Sequence, residues 1–205
     1  ALFAAVHEAW AARPEGQRPT LIAYGESLGS FGGEAAFDEG SLEASVAAIV
    51  AQCDGALFVG PTAKNPIYGA MVRDRPAGPS WAPQWPDLTH VRLANNKAGI
   101  PVDDGDWASP RVLYLHHPSD AIGTWQPANL LRDPGWGADP PPADLPRTTA
   151  WNPLVGFVQE SFDLMNGFSA SPGYGHDYRN ELTRAWAAVV PPLGWTDADT
   201  DALNA

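Results

Sequence analysis

Tyr24-Gly25-Glu26-Ser27-Leu28-Gly29 follows the short apolar run Thr20 to Ala23 and leads into a glycine-rich, helix-compatible stretch. This is the Gly-x-Ser-x-Gly pattern of a nucleophile elbow, set where a strand gives way to a helix. A serine held at a strained strand-to-helix turn needs neighbours without Cβ atoms, so that strand and helix can approach closely. Ser27 is therefore a candidate nucleophile. The rest of the chain should then supply an acid and a base.

Working outward from the elbow, Leu2, Val6 and Trp10 recur at helical spacing, so residues 1–12 read as an amphipathic helix. No capping residue precedes it, and a helix entered partway is expected to continue a longer polypeptide. Thr20 to Tyr24 reads as a strand and Ser27 to Phe37 as a helix, its three glycines suggesting close backbone approach. Ser41 caps a second helix, with Leu42, Val46, Ile49 and Val50 on one face. Gly55 to Gly60 is a buried strand. Residues 61–110 read as loop-rich, with Trp81, Trp85 and Trp107 among prolines and only His90 to Ala94 hinting at a strand.

Arg111 to His116 is the clearest strand of all. Asp133 to Pro146, with Pro140-Pro141-Pro142, reads as irregular. Trp151 to Asn166 is predicted helical, with a stripe of Leu154, Val158, Phe162 and Met165, and Gly167 stops it. A last helix covers about Tyr178 to Val190 and ends at Pro191-Pro192. Strands alternating with helices predict an α/β architecture with a mostly parallel sheet flanked by helices. Residues 1–192 read as one catalytic portion in which 61–110 and 121–150 are loop-rich and candidate lid segments. Residues 193–205 read as an acidic tail, Asp197 to Asp201 being a disordered segment or a solvated cap.

Composition narrows the partners. Twelve basic residues stand against 24 acidic ones, a formal net charge of −12, which argues against a nucleic-acid partner. A single cysteine, Cys53, excludes an internal disulfide framework. No run approaches the roughly 18 apolar residues of a membrane-spanning helix. No His/Cys/Asp cluster shows ligand spacing, so neither a metal nor an organic cofactor is implied.

A serine hydroxyl is a poor nucleophile until an imidazole takes its proton, and the imidazole needs a carboxylate to fix its tautomer. In α/β-hydrolases these partners follow in the order Ser, acid, His. Asp120 lies 93 residues beyond Ser27, just past the Arg111 to His116 strand, where an acid loop belongs. His176 lies 56 residues further on, in the glycine-rich loop Pro172-Gly173-Tyr174-Gly175-His176 that opens the last helix. The rival acids Asp103, Asp104 and Asp106 precede a strand rather than follow one. Of the other histidines, His7 and His90 read as structural, while His116 and His117 end the acid strand and line the site without being the base. Glu26 reads as a local hydrogen-bonding residue. The N–H of Leu28, next to the nucleophile, is the expected oxyanion donor. A second donor normally comes from a loop upstream of the elbow, and the 26 preceding residues hold only one helix and one strand. The early strands of the sheet are therefore expected upstream or on a companion segment.

The run Tyr24 to Phe37 resembles the elbow of an actinobacterial α/β-hydrolase family in which a hydrophobic membrane domain precedes the catalytic domain. Asp54 to Pro61, Arg111 to Asp120, and Gly175-His176 resemble that family's later blocks, and the similarity runs from Ala1 to about Pro192. It implies an α/β-hydrolase fold lacking its N-terminal strands here, with Ser27, Asp120 and His176 as nucleophile, acid and base. It also implies a membrane domain upstream of Ala1, and so membrane association.

The expected activity is a serine hydrolase of the esterase or lipase type, cleaving a lipidic or acyl ester through an acyl-enzyme. Two alternatives stand beside it. One is a hydrolase-derived binding fragment that docks on a membrane partner. The other is an acyltransferase using the same triad. The Trp- and Pro-rich stretches read equally as an acyl-binding wall or as a rigid cover.

Overall fold

Gly55-Ala56-Leu57-Phe58-Val59 is apolar at every position, and a strand of that kind is stable only with both faces covered. It forms β2 (Gly55–Val59), buried throughout. The computed structural model describes residues 2–101, 105–136, 142–146, 149 and 151–204. Around β2 stand β1 (Ile22–Glu26), β3 (Val91–Ala94) and β4 (Arg111–Leu115), in the order β1-β2-β4-β3 and all parallel. The expected α/β class with a parallel sheet is what the chain adopts.

Side chains alternate across a strand, so the sheet splits the core in two. Ala56, Phe58, Val112 and Tyr114 face α3 (Leu42–Gln52) and α4 (Pro66–Arg73), joining Val46, Ile49, Ile67 and Met71. Leu57, Val59, Leu113 and Leu115 face α7 (Arg179–Val189), joining Ala185, Ala188 and Val189. Each fully buried large apolar side chain of this kind contributes about 1.5–3 kcal/mol. The remaining helices are α1 (Leu2–Ala11), α2 (Leu28–Glu34), α5 (Ala121–Thr124), α6 (Val155–Met165) and α8 (Asp197–Leu203). Ser41 caps α3, accepting from the Ala44 N–H at 3.2 Å. No helix among the described residues is long and apolar enough to cross a membrane.

Several local readings shift. β1 starts two residues later than the apolar run suggests and extends into the elbow, because its parallel register pairs Ile22 with Gly55 and Glu26 with Val59. The stretch read as loop contains α4, whose Pro66 sits at the first helical position, where its missing N–H costs nothing. The acidic tail carries α8, held by a capping box between Thr196 and Asp199. The apolar stripe of α6 is exposed, Leu154, Val158, Phe162 and Met165 all being at least half accessible. The buried face instead carries Gly156 and Glu160. Glu160 accepts from Thr124 Oγ1 at 2.9 Å and from Asn129 Nδ2 at 2.9 and 3.0 Å. These tertiary hydrogen bonds set the rotation of the helix. The Pro140-Pro141 pair, Asp103 and Asp104 lie outside the described residues.

Candidate active site

All four strands run the same way, so the loops leaving β1, β2 and β4 share one rim, where parallel sheets hold their functional residues. Ser27 leaves β1 with φ 56° and ψ −122°, one of two non-glycine residues at positive φ among those described. Such a conformation costs roughly 1–3 kcal/mol and persists only when its surroundings enforce it. Here Ser27 N–H donates to Val59 O at 2.9 Å, and its carbonyl accepts from Ser30 N at 2.9 Å and Ser30 Oγ at 2.7 Å. A Cβ on Gly25 would fall 2.2 Å from the Gly29 carbonyl oxygen, so that glycine is obligatory. Gly29 itself faces open space, as does Gly32. The close approach read from the glycines thus resides at Gly33, where a Cβ would lie 3.0 Å from the Phe58 ring, and at Gly25, which meets the Gly29 backbone.

A buried network braces the elbow from behind. Asn65 Nδ2 donates to Ser30 Oγ at 3.1 Å and to Glu34 Oε1 at 3.0 Å. Glu34 Oε2 accepts from the first available N–H groups of α4, Ile67 at 2.7 Å and Tyr68 at 3.0 Å. Burial pushes the Glu34 carboxyl up to about 7, although the donors from Tyr68, Asn65 and Ile67 oppose the rise. α2 and α4 are thereby locked together behind Ser27.

Asp120 is fully buried past the end of β4 and caps α5, Oδ1 accepting from Ile122 N at 2.9 Å. Its Oδ2 accepts from His176 Nδ1 at 2.6 Å and from the Tyr178 hydroxyl at 2.8 Å. Burial alone would raise its pKa, but the hydrogen bonds and positive field of His176 hold it below the usual carboxylate value. One carboxylate thus caps α5 through Oδ1 and holds the His176 ring through Oδ2.

The loop carrying His176 turns through Gly173 at φ 87° and Gly175 at φ 53°. It is pinned to the Asp120 loop: Gly175 N–H donates to Ser119 Oγ at 2.9 Å, and the Gly175 carbonyl lies 2.9 Å from His117 Nδ1. The imidazole lies over the end of β2. A Cβ on Gly60, which sits at φ 57°, would fall 2.7 Å from His176 Cε1. Gly60 directly follows Val59, the residue that binds the Ser27 backbone, so elbow, acid and imidazole share the rim at the ends of β1, β2 and β4.

The remaining candidates disperse. Leu28 is the first residue of α2 and 83% exposed, and first-turn N–H groups lack intrahelical acceptors. Glu26 is exposed and accepts from the Tyr24 hydroxyl at 3.1 Å. Asp106 is exposed in a turn before β4. His7 packs between Phe3 and Trp10, and His90 Nδ1 lies 3.0 Å from Pro110 O. His117 stacks on Tyr178, with Nε2 3.7 Å from Glu181. His116 is buried, and burial lowers its pKa to about 4. Sequence reading passed over Tyr178, two residues beyond His176, and the Ser30–Asn65–Glu34 network, in which Asn65 is over 30 residues from both partners. A buried glutamate seven residues after the elbow serine, in a helix otherwise of small and apolar residues, was the available signal.

Tryptophan N–H groups hold the connecting segments, among them Trp85 to Met71 O, Trp107 to His90 O, Trp125 to Ser161 Oγ and Trp151 to Asn129 O. A cleft of about 390 Å³ opens beside the Asp120 and His176 loops, lined among others by Ser119, Tyr174, Gly175, Glu160 and Asp163. Among the described residues no group of three or more His, Cys, Asp or Glu is placed to hold a metal ion.

A parallel sheet with a strained serine between strand and helix, and a carboxylate–imidazole pair on the same rim, defines the α/β-hydrolase class. The chain belongs to an alpha/beta-hydrolase family, whose model matches residues 1–203. No curated protein and no solved structure matches it.

Proposed function

We propose that the chain is a serine ester hydrolase with Ser27 as nucleophile, His176 as base and Asp120 as the orienting acid. The observation that carries this is the 2.6 Å hydrogen bond from His176 Nδ1 to Asp120 Oδ2, formed by a ring lying over Gly60 beside the strained elbow. Nδ1 carries the proton toward the carboxylate, which leaves Nε2 as the basic atom. Ser27 Oγ bonds to the ester carbonyl carbon as its proton passes to Nε2. The Leu28 N–H steadies the oxygen that becomes negative. The tetrahedral species collapses, the carbon–alkoxide bond breaks, and Nε2 returns the proton to the departing alcohol. Water then attacks the acyl-enzyme by the same route in reverse, releasing a carboxylic acid and Ser27. The reading covers esters with lipidic or simple acyl chains, and transfer to an alcohol in place of water uses the same steps.

Among the described residues β1 pairs with β2 alone, which leaves its other edge open, and Tyr24, Leu28 and Phe31 beside it are exposed. Such an edge is a template for a further strand, and we place there the segment that brings the second oxyanion donor. The same edge favours a second reading, a hydrolase-derived module that docks on a partner without catalysis. Labelling with a fluorophosphonate probe separates the two. The hydrolase labels, and Ser27→Ala abolishes the signal; folded protein that never labels supports the docking module and ends the catalytic reading.

A further inference from the structure

The two loop-rich segments meet across a second cleft, away from the Ser119 side of the acid loop. Ser80 Oγ donates to Pro134 O at 2.7 Å and Trp81 Nε1 to Gly135 O at 3.2 Å, fastening one segment to the other. The cleft has a volume of about 450 Å³, and Arg73, Arg75 and Arg132 line it together with His116. The chain has only 12 basic residues against 24 acidic ones, so three arginines around one cavity run against its overall charge. Guanidinium groups gathered around a cavity repel one another unless an anion sits between them.

Their partners differ. Arg73 is matched by Asp74 through two hydrogen bonds of 2.8 and 2.7 Å. Arg75 donates Nε to Gly78 O at 2.9 Å and Nη1 to Val72 O, so its plane is fixed by carbonyls, and it has no ion-pair partner among the described residues. The Arg132 guanidinium has no ion-pair partner among the described residues. Asp133, the carboxylate on the wall, is turned to the N–H groups of Gly135 and Trp136, each at 2.9 Å. His116 is 3% exposed, and neither of its ring nitrogens has a hydrogen-bond partner among the described residues. A buried polar group left unpaired is unfavourable, and a ligand oxygen would satisfy it. Gly123 packs against this ring, and a Cβ there would lie 2.6 Å from His116 Nε2. The same Gly123 presents its N–H 3.4 Å from Asp120 Oδ1, so this cleft shares a wall with the acid.

We propose that this cleft is a binding subsite for an anionic oxygen group, carboxylate or phosphate, carried by the ester substrate and held by Arg75, Arg132 and His116. It rests on the hydrolase reading and names the substrate class, an ester bearing an acidic substituent. A planar guanidinium accepts either oxyanion through paired N–H bonds, so the geometry suits both sources.

Calorimetric titration of the Ser27→Ala chain tests it, because binding is then read without turnover and survives a failure of the catalytic reading. Inorganic phosphate and monomethyl succinate are titrated separately. Binding of the first alone assigns a phosphate substituent, of the second alone a carboxylate. Arg132→Ala removes an exposed side chain with no partner to orphan, and it should weaken binding of the active probe at least fivefold. The ring ¹⁵N signals of His116 should shift on titration. Absence of binding by both probes, or affinity unchanged by Arg132→Ala with unmoved His116 signals, overturns the proposal.

Discussion

The Tyr178 hydroxyl donates to Oδ2 of Asp120 at 2.8 Å, the same oxygen that receives the His176 ring. The Tyr178 oxygen in turn accepts from the His117 N–H at 3.2 Å, so one phenol ties the last helix to the acid loop. Both groups are buried, and a hydrogen bond to a buried charge contributes about 1.5–3 kcal/mol. Tyr178→Phe keeps the ring and deletes the donor, so kcat for ester hydrolysis should fall about tenfold or more. A depressed carboxylate pKa gives stability that is present above the unfolded value and lost as pH falls through the folded one. The variant relaxes that depression, so its acid unfolding should begin at a higher pH than in the parent chain. An unchanged kcat would remove Tyr178 from the site.

Asp120→Asn preserves shape but offers an amide to His176, favouring the wrong tautomer. The comparable change in a known serine protease lowers kcat about 10⁴-fold, and a loss of similar order is expected here. Rates of fluorophosphonate labelling should fall in parallel, since the probe draws on the same activated hydroxyl. Labelling at the parental rate would show that Asp120 serves only as the cap of α5.

The two elbow glycines should respond oppositely to alanine. Gly25→Ala places a methyl 2.2 Å from the Gly29 carbonyl, with backbone on both sides and nothing flexible to yield. Overpacking of that kind costs about 1–3 kcal/mol and here also displaces Ser27. Gly29→Ala meets nothing within 4 Å and relieves a helix of a glycine, a gain of up to about 0.5–1 kcal/mol. Chemical denaturation of both variants reads the difference, and equal destabilisation would contradict the packing described.

The elbow, the buried strands and the two loops that pair Asp120 with His176 were legible because their signals are local: glycine spacing, apolar runs, and polar residues just past strand ends. Pro66 hid α4, since a proline after Asn65 reads as a loop unless the following helical face is weighed. The rotation of α6 was illegible because Glu160 fixes it through Asn129 and Thr124, each more than 30 residues away. The same distance hid the cleft arginines, where Arg73 and Arg75 meet Arg132 only after two loops are fastened together. Pairing across such gaps leaves no periodic trace in the chain.

Two buried groups should tilt the pH dependence of stability in opposite directions. Glu34 titrates at about 7 when folded against an ordinary 4.5, so between these values the folded state holds the extra proton and stability falls as pH rises. His116 titrates at about 4 when folded against an ordinary 6.5, so there the unfolded state holds the extra proton and stability rises with pH. Each slope approaches about 1.4 kcal/mol per pH unit, and where the windows overlap they largely cancel. The parent chain should therefore show a shallow profile from pH 4.5 to 6.5. Glu34→Gln removes the largest falling contribution, the raised carboxyls of Glu160 and Asp163 adding smaller ones, and should leave stability climbing with pH; His116→Gln should leave it descending. Glu34→Gln also faces an amide toward Asn65 Nδ2, costing about 1–3 kcal/mol at every pH and shifting the curve without changing its sign. Urea unfolding at several pH values across the overlap reads both slopes. Slopes of the same sign in the two variants would mean that at least one of these groups titrates as it does in water.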